Sequence, residues 1–222
     1  MMSEITTIHF NGLLGYGANC YLIRTDTGYI LIDTAFSPKR TDIDKKLESA
    51  GCKPGNLQLI VLTHGHGDHT GNCAYLRRKY ATQIAMHRSD SEIAERGNVD
   101  SHGVDRIILR LISFVAGLGE IETFRPDRYL EEGDDLSAYG WEAQILHLPG
   151  HSNGSIGILT ADGDLFCGDV FVNVTKPVRH SIITDAAAFH TSVERLKSLS
   201  VKKVYPGHGK PFLMEQFIKN SQ

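Results

Sequence analysis

The chain has 222 residues, of which 41% are hydrophobic, and a formal net charge of -3 at pH 7. This length and apolar content favour one large α/β domain spanning residues 1–222, with enough apolar side chains for a sizeable core. The weak negative charge argues against a nucleic-acid partner, and the basic run Arg77-Arg78-Lys79 is typical of a solvated helix face.

The first part of the chain predicts short strands followed by a helix. Three strands are expected, at residues 5–10, 19–24 and 29–32. The sequence Thr25-Asp26-Thr27-Gly28 predicts a turn between the last two strands. Apolar residues between Ile43 and Ala50 recur at helical spacing after Pro38, and Gly51 ends the pattern. A buried strand over 57–63, a helix over 71–80 and a strand over 83–87 should follow.

The segment Thr63-His64-Gly65-His66-Gly67-Asp68-His69 follows the apolar run 59–62 and concentrates three imidazoles and a carboxylate in one turn. Neutral imidazole nitrogen and carboxylate oxygen are ligands that zinc and similar divalent ions take. The intervening glycines allow the sharp turn that brings neighbouring side chains together. The segment therefore predicts a metal site at the end of a strand.

The second half again alternates apolar runs with polar residues. Strands are expected over 141–148, 156–160, 165–167 and 203–205, and a helix over 185–199. His151, Asp169 and His208 are each expected in a glycine-bearing loop that follows an apolar run. Taken alone, Asp169 is an ordinary strand-end aspartate, and loops such as those of His151 and His208 also occur without a metal.

Together these motifs resemble the His-x-His-x-Asp-His signature and the distant ligands of the metallo-β-lactamase fold superfamily. The resemblance covers most of the chain, because all four motifs occur in the family's order. It implies an α/β fold, the αββα four-layer sandwich of two mixed β-sheets flanked by helices. The chain resembles a stand-alone, glyoxalase II-like core without the C-terminal domain of that enzyme.

The resemblance also implies two divalent metal ions that share one carboxylate. The first ion would bind His64, His66 and His151, the second would bind Asp68, His69 and His208, and Asp169 would bridge them. Zinc is the first expectation, and iron or manganese also accepts such ligands. Asp33, which ends the run 29–32, matches a family aspartate that orients a ligating imidazole, although a turn or helix-capping role is the alternative.

The expected activity is hydrolysis of a small-molecule substrate. Two ions that share a water lower its pKa from about 15.7 to near 7, so a metal-bridged hydroxide exists at neutral pH. It would attack a thioester, lactone, other ester or phosphoester. Asp68 and Asp169 are the expected catalytic carboxylates, because Asp68 would orient the hydroxide or receive its proton and Asp169 would hold both ions.

An alternative from another reaction class is a mononuclear iron oxygenase similar to persulfide dioxygenases. It would use His64, His151 and Asp169 and leave the other ligands idle. A non-catalytic metal-binding module is disfavoured, because a ligand set without thiolates leaves positions open to water. The remaining histidines lack paired spacing and are expected to be structural or at the surface, with His180 as the first exception. They are His9, His87, His102, His147, His180 and His190.

An apolar stripe at residues 104–118 predicts a helix between the two halves. It could pack on the core, cover the substrate entrance as a lid, or form a homodimer contact. The four cysteines contain no Cys-x-x-Cys pair and are expected to be reduced. The first residues lack a secretion signal and no apolar run is long enough to cross a bilayer, so we expect a cytoplasmic protein without membrane association.

Overall fold

The computed structural model of the protein describes residues 4–11, 17–96 and 122–220, so the predicted helix at 104–118 lies outside the described residues. The elements of the first half are β1 (Glu4–Phe10), β2 (Ala18–Thr25), β3 (Gly28–Ile32), α1 (Arg40–Ser49), β4 (Leu57–Val61), α2 (Gly67–Thr70), α3 (Cys73–Tyr80), β5 (Gln83–His87), α4 (Arg88–Arg96) and β6 (Arg128–Leu130). The second half contains β7 (Ala143–His147), β8 (Ile156–Thr160), β9 (Asp164–Asn173), β10 (Val178–Arg179), α5 (Ala186–Ser198), β11 (Lys203–Gly209), β12 (Phe212–Leu213) and α6 (Met214–Asn220).

The strands form two half-sheets that meet at a narrow seam. Their order is β6-β5-β4-β3-β2-β11-β9-β8-β7, with β1 beside β2, β10 beside β9 and β12 beside β11. Strands β3 to β6 pair in parallel, whereas β1, β2 and β3 pair antiparallel. The seam between β2 and β11 consists of a single residue pair, His208 with Ala18. In the second half-sheet β9 and β11 pair in parallel, whereas β7, β8 and β9 pair antiparallel, so both half-sheets are mixed, as predicted.

Three apolar clusters separate the layers. The central cluster fills the space between the half-sheets, with Ile23 and Val61 from one half against Ile158 and Phe166 from the other. An outer cluster packs α1 and α3 against the first half-sheet. The other outer cluster packs α5 and α6 against the second. These layers confirm the predicted αββα sandwich.

The sequence of β2 and β3 shows why the half-sheets are sandwiched. Leu22 and Leu31 point to the outer cluster, while their neighbours Ile23 and Ile30 point to the central one. Because successive side chains alternate between the faces of a strand, a strand covered on both faces reads as a continuous apolar run. Burying each such side chain contributes about 1.5–3 kcal/mol relative to leaving it exposed.

The predicted loop positions of Asp169 and His208 are wrong, because both residues lie inside strands. Strand β9 continues through Asp169 to Asn173, and β11 continues through His208 to Gly209. The pairing of β9 with β11 shifts register on both sides of Pro206, and Gly168 has φ +50°. Such irregularities re-aim side chains without ending a strand, so the apolar run that precedes each ligand was mistaken for the whole strand.

Candidate metal centre

Three histidines from two loops form the first ligand group. His64 and His66 follow β4, and His151 follows β7. His66 Nδ1 lies 3.0 Å from His64 Nε2 and 2.9 Å from His151 Nε2, and the two Nε2 atoms are 3.2 Å apart. A tetrahedral zinc ion with bonds of about 2.0–2.1 Å would separate such nitrogens by about 3.3 Å. The three nitrogens are therefore spaced for one ion.

Burial keeps these three imidazoles neutral. It lowers the pKa of His64 well below its usual range, lowers that of His66, and lowers that of His151 to about 4. A neutral imidazole has a free lone pair, which is the form that binds a metal. The first group is thus in the protonation state that metal binding requires.

The second ligand group joins the short helix α2 to β11. Asp68 Oδ2 lies 3.6 Å from His69 Nε2 and 3.3 Å from His208 Nε2. Burial raises the pKa of Asp68, but the neighbouring His69 and His208 outweigh this effect and hold the pKa at about 2. The Asp68 side chain, which is 25% exposed, is therefore an ionised carboxylate with access to solvent.

Asp169 lies between the two groups and contacts both. Its Oδ1 is 3.4 Å from His69 Nε2, and its Oδ2 is 3.2 Å from His208 Nε2 and 3.6 Å from His151 Nε2. Burial raises the pKa of Asp169, but His69 and His208 lower it well below its usual range. In the opposite direction, burial lowers the pKa of His208, but Asp169 and Asp68 raise it to about 10. The carboxylates of Asp68 and Asp169 therefore stabilise positive charge at the second ligand group.

Two observations indicate that divalent ions fit this centre. Among the described residues, none is a hydrogen-bond partner of the buried atoms His69 Nε2 and Asp169 Oδ1, which is costly unless another group satisfies them. Gly207 leaves the necessary room, because a Cβ there would lie 2.3 Å from Asp169 Oδ1 and 2.6 Å from His69 Cε1. The donors are nitrogen and oxygen only, a set that zinc, iron and manganese all accept.

In four of the five histidine ligands, the ring nitrogen that points away from the centre makes a hydrogen-bond contact with another protein group. Thr63 Oγ1 lies 3.1 Å from His64 Nδ1, and Asp33 Oδ2 lies 2.8 Å from His69 Nδ1. Backbone carbonyls accept from the other two rings: that of Ile182 from His151 Nδ1 at 2.7 Å and that of Gly17 from His208 Nδ1 at 2.8 Å. Such contacts fix the ring orientation and place the proton of the neutral imidazole on the far nitrogen, so the inward nitrogen is the one that can bind a metal.

Asp33 has the orienting contact that the sequence predicted for it. Its backbone φ is +59°, a conformation that aspartate tolerates better than most residues. The carboxylate accepts from Thr63 N and Thr63 Oγ1, each at 2.8 Å, as well as facing His69. Asp33 therefore links the end of β3 to the metal loop and holds one ligand within it.

Asp90 is a buried residue of the centre that sequence reasoning missed. Its carboxylate accepts from Gly65 N at 2.8 Å, Ser152 Oγ at 2.7 Å and Gly154 N at 2.6 Å. It therefore ties the loop of His64 and His66 to the loop of His151. Only the tertiary structure brings these loops together, and no spacing in the sequence connects Asp90 to either.

The structure brings all seven predicted ligands into one centre, and it distributes the other histidines as follows. His180 is the exception that the sequence suggested, because its Nε2 lies 3.6 Å from Asp169 Oδ2. The rings of His87 and His147 stack with centroids 4.1 Å apart. His9 contacts Asn19 Oδ1 at 2.8 Å, and His190 is exposed on α5. His102 lies outside the described residues.

Comparison with known proteins identifies the family. Residues 13–208 match the metallo-beta-lactamase superfamily model, so the chain belongs to this superfamily, as the sequence motifs predicted. The chain is 31% identical over 199 residues to the probable metallo-hydrolase MJ0888 of Methanocaldococcus jannaschii, covering 88% of this chain and 89% of the relative. It is 28% identical over 229 residues to the acyl-coenzyme A thioesterase MBLAC2 of Bos taurus, covering 92% and 77%.

A solved structure agrees with the fold. The crystal structure of TTHA1623 in a di-iron-bound form superimposes with a TM-score of 0.74 at 28% identity, covering 95% of this chain and 96% of that one. Two further relatives are about twice as long as their matched region. The chain spans 56% of a beta-lactamase-like protein 2 homolog of Caenorhabditis elegans and 50% of the hydroxyacylglutathione hydrolase GloC of Haemophilus influenzae. Among the described residues, no helix is long and apolar enough to cross a bilayer.

Proposed function

We propose that the chain is a metal-dependent hydrolase that binds two divalent ions and cleaves a carboxylic thioester or a closely related ester. The observation that carries the proposal is the position of Asp169, whose carboxylate contacts the first and the second ligand group at once. A carboxylate in that position suits two neighbouring ions that act together.

The chain's own residues support hydrolysis. Divalent ions bound in such a centre supply a nucleophile from water near neutral pH and polarise a carbonyl group. Asp68 remains ionised above a pH of about 2, so its partly exposed Oδ2 is available as an acceptor that orients the attacking water. Asp33 and Asp90 hold the ligand loops in place. The same centre therefore binds the ions and orders the reacting water.

The names of several relatives favour a thioester substrate. Three of them are described as an acyl-coenzyme A thioesterase, a hydroxyacylglutathione hydrolase and an atrochrysone carboxyl ACP thioesterase, all of which are named for thioesters. Ile182 is 66% exposed, although its carbonyl accepts a hydrogen bond from His151 Nδ1. An exposed apolar residue beside the first ligand group is suited to contact the acyl chain of a thioester substrate.

The second ligand group also favours hydrolysis over the oxygenase alternative. A mononuclear oxygenase would not use Asp68, His69 and His208 as ligands. In this structure, however, Asp68 Oδ2 lies 3.6 Å from His69 Nε2 and 3.3 Å from His208 Nε2, and His208 Nε2 lies 3.2 Å from Asp169 Oδ2. The buried, unpartnered His69 Nε2 would also stay unsatisfied without an ion. We propose zinc as the resident metal, with iron as the second candidate because TTHA1623 is described in a di-iron-bound form.

Elemental analysis and a substrate screen test the proposal. Protein purified without added metal, and after reconstitution with excess zinc or iron, should contain two ions per chain. Each form is then assayed with acyl-coenzyme A thioesters, a hydroxyacylglutathione, a lactone and a phosphodiester. A stoichiometry of one ion per chain in excess metal would contradict the dinuclear centre. Oxygen-dependent turnover of a persulfide by an iron form would establish the oxygenase alternative instead.

A further inference from the structure

Exposed apolar side chains are concentrated in one short stretch of the chain. Of the five large hydrophobic residues that are exposed in the described part of the protein, four lie within residues 174–183. These four are Val174, Val178, Ile182 and Ile183, and the fifth is Leu213 on β12. Apolar residues scattered singly over a surface are ordinary, whereas a group of them marks a place where an apolar molecule binds.

Ile182 is exposed although the backbone around it is fastened to the loop of His151. The Ile182 carbonyl lies 2.7 Å from His151 Nδ1 and accepts its hydrogen bond. Two residues further on, the N–H groups of Thr184 and Asp185 donate to the carbonyl of Gly150 at 2.7 and 3.0 Å. The hydroxyl of Thr184 donates to the same carbonyl at 3.1 Å. These contacts hold the Ile182 side chain at a fixed place beside the first ligand group.

Val178 lies on the face of β10 that is turned toward the metal centre. Its neighbour Arg179 points the other way, because Arg179 Nη2 pairs with Glu194 Oε1 of α5 at 3.1 Å. Successive side chains alternate between the two faces of a strand, so Val178 and His180 share the face opposite to Arg179. His180 Nε2 is 3.6 Å from Asp169 Oδ2, so this shared face is the one at the centre. Val178 is thus an exposed apolar residue on the same side as the ligands.

We infer that Val178 and Ile182 form an apolar rim that binds the acyl chain of the substrate, so that the enzyme prefers thioesters of medium-length aliphatic acids to acetyl thioesters. This inference rests on the proposed function. The acyl carbon must lie at the metal centre to be attacked, so the rest of the chain must run outward from it.

The position of the apolar rim fits the path of such a chain. One imidazole ring and one hydrogen bond separate the Ile182 carbonyl from His151 Nε2, the nitrogen that faces the other ligands. A chain of several methylene groups spans this distance, whereas an acetyl group ends at the centre. Each methylene that leaves water against the apolar rim contributes up to about fourfold in binding. The apolar rim therefore selects substrates by the length of their acyl chain.

The dependence of kcat/KM on acyl-chain length tests the apolar rim in the zinc-loaded protein. The measured quantity is the kcat/KM for octanoyl-coenzyme A divided by that for acetyl-coenzyme A. An effect of a substitution on the metal centre itself acts on both substrates and cancels in this ratio. We expect a wild-type ratio of about ten or more, the lower end of what an apolar site gains from additional methylene groups.

Three variants distinguish the apolar rim from other exposed apolar positions. Ile182→Ser should lower the ratio about three- to tenfold, and Val178→Ser should lower it in the same direction. Leu213→Ser is the matched control, because it also removes an exposed apolar side chain. Leu213 pairs with Lys203 at the start of β11, whereas His208 lies near the other end of that strand. The Leu213→Ser protein should therefore keep the wild-type ratio.

A wild-type ratio near one, or a ratio that Ile182→Ser leaves unchanged, would overturn the inference. An unchanged ratio with a switch from dimer to monomer in gel filtration would instead assign the apolar rim to an interface between two copies. An unchanged ratio with a lower melting temperature would assign it to packing against another part of this chain.

A separate measurement applies if the proposed function fails, which is the case if the wild-type protein cleaves no thioester. The apolar rim is then judged by calorimetric binding of octanoate and butyrate, which are carboxylates that differ only in chain length. Octanoate should bind the wild type about tenfold more tightly than butyrate, and Ile182→Ser should lose most of this difference. Equal binding of the two carboxylates by the wild type, or an undiminished difference in Ile182→Ser, would overturn the inference.

Discussion

Replacing Asp33 by Asn should weaken metal binding at the second ligand group and leave the first group unaffected. The Asp33 carboxylate faces three donors, which are Thr63 N–H, Thr63 Oγ–H and His69 Nδ1–H. In Asp33→Asn, the amide oxygen can still accept from Thr63 N–H, but the amide nitrogen then faces His69. The His69 proton must move to Nε2, where it blocks the nitrogen that would bind the metal. Asparagine tolerates φ +59°, so the backbone should be unaffected.

The expected loss of metal affinity follows from the contact by which Asp33 orients His69. Changing a residue that orients a ligating histidine typically costs about 10- to 100-fold in metal affinity, which is about 1.4–2.8 kcal/mol. Asp33→Ala should behave differently, because it leaves buried donors unpaired at about 1–3 kcal/mol each and puts alanine at positive φ. The alanine variant should therefore unfold at a lower temperature as well as lose metal.

Competition against a chromophoric chelator measures the two affinities separately. The wild-type protein and the control Asp26→Asn, which makes the same chemical change in an exposed turn, should bind two zinc ions. Asp33→Asn should bind one ion at the first ligand group with wild-type affinity, whereas an ion at the second ligand group should bind more weakly. If Asp33→Asn binds both ions with wild-type affinities, then Asp33 does not set the tautomer of His69.

Three further substitutions probe other parts of the centre. Asp169→Ala should abolish nearly all turnover, while its circular dichroism spectrum should match that of the wild type. A kcat above a tenth of the wild-type value, which is a difference under about 1.4 kcal/mol, would show that Asp169 does not bridge two ions. Gly207→Ala should displace Asp169 and His69, because the new Cβ would lie 2.3 Å from Asp169 Oδ1. A folded Gly207→Ala protein with two tightly bound ions, measured by elemental analysis, would contradict this close approach. Asp90→Ala leaves the N–H groups of Gly65 and Gly154 without their acceptor at about 1–3 kcal/mol each, while Ser152 Oγ keeps Ser155 Oγ as a partner at 2.7 Å. Urea denaturation should therefore show a loss of about 2–6 kcal/mol, and a loss below about 1 kcal/mol would mean that the two loops do not depend on this residue.

Most of the sandwich could be predicted because its strands are buried on both faces. The apolar runs at β2, β3 and β4 indicated strands within about two residues of their observed ends. The helices α1, α3 and α5 were found from their periodicity and their stop signals. Helix α4 was missed because Arg88-Ser89-Asp90-Ser91-Glu92 is polar and begins directly after β5, without a turn between them.

The candidate centre was predictable as a set of residues but not as an arrangement. The segment from His64 to His69 indicated a metal site by its own chemistry, whereas His151, Asp169 and His208 were indicated by the resemblance to the metallo-β-lactamase fold superfamily. The role of Asp90 depends on two loops that meet only in the folded protein. The position of His180 beside Asp169 depends on the pairing of β10 with β9, which no side-chain pattern encodes. Whether the seven residues bind two ions remains a prediction.

The place of β11 in the sheet governs the order in which the protein can assemble. This strand lies between β2 and β9, yet it follows every other long strand that the structure describes along the chain. The contact of His208 with Gly17 joins residues 191 positions apart. During synthesis, the inner edges of β2 and β9 must therefore wait unpaired until β11 emerges from the ribosome.

Unpaired strand edges are sites at which chains associate wrongly, and pairings between distant residues form slowly. Before His208 has been added, only the first ligand group, which joins the two halves through His64, His66 and His151, has all its residues. The growing chain thus passes through a stage with two open sheet edges and a partial ligand set. A chaperone that covers these edges, or fast closure by β11, would decide how much of the newly made protein reaches the native fold.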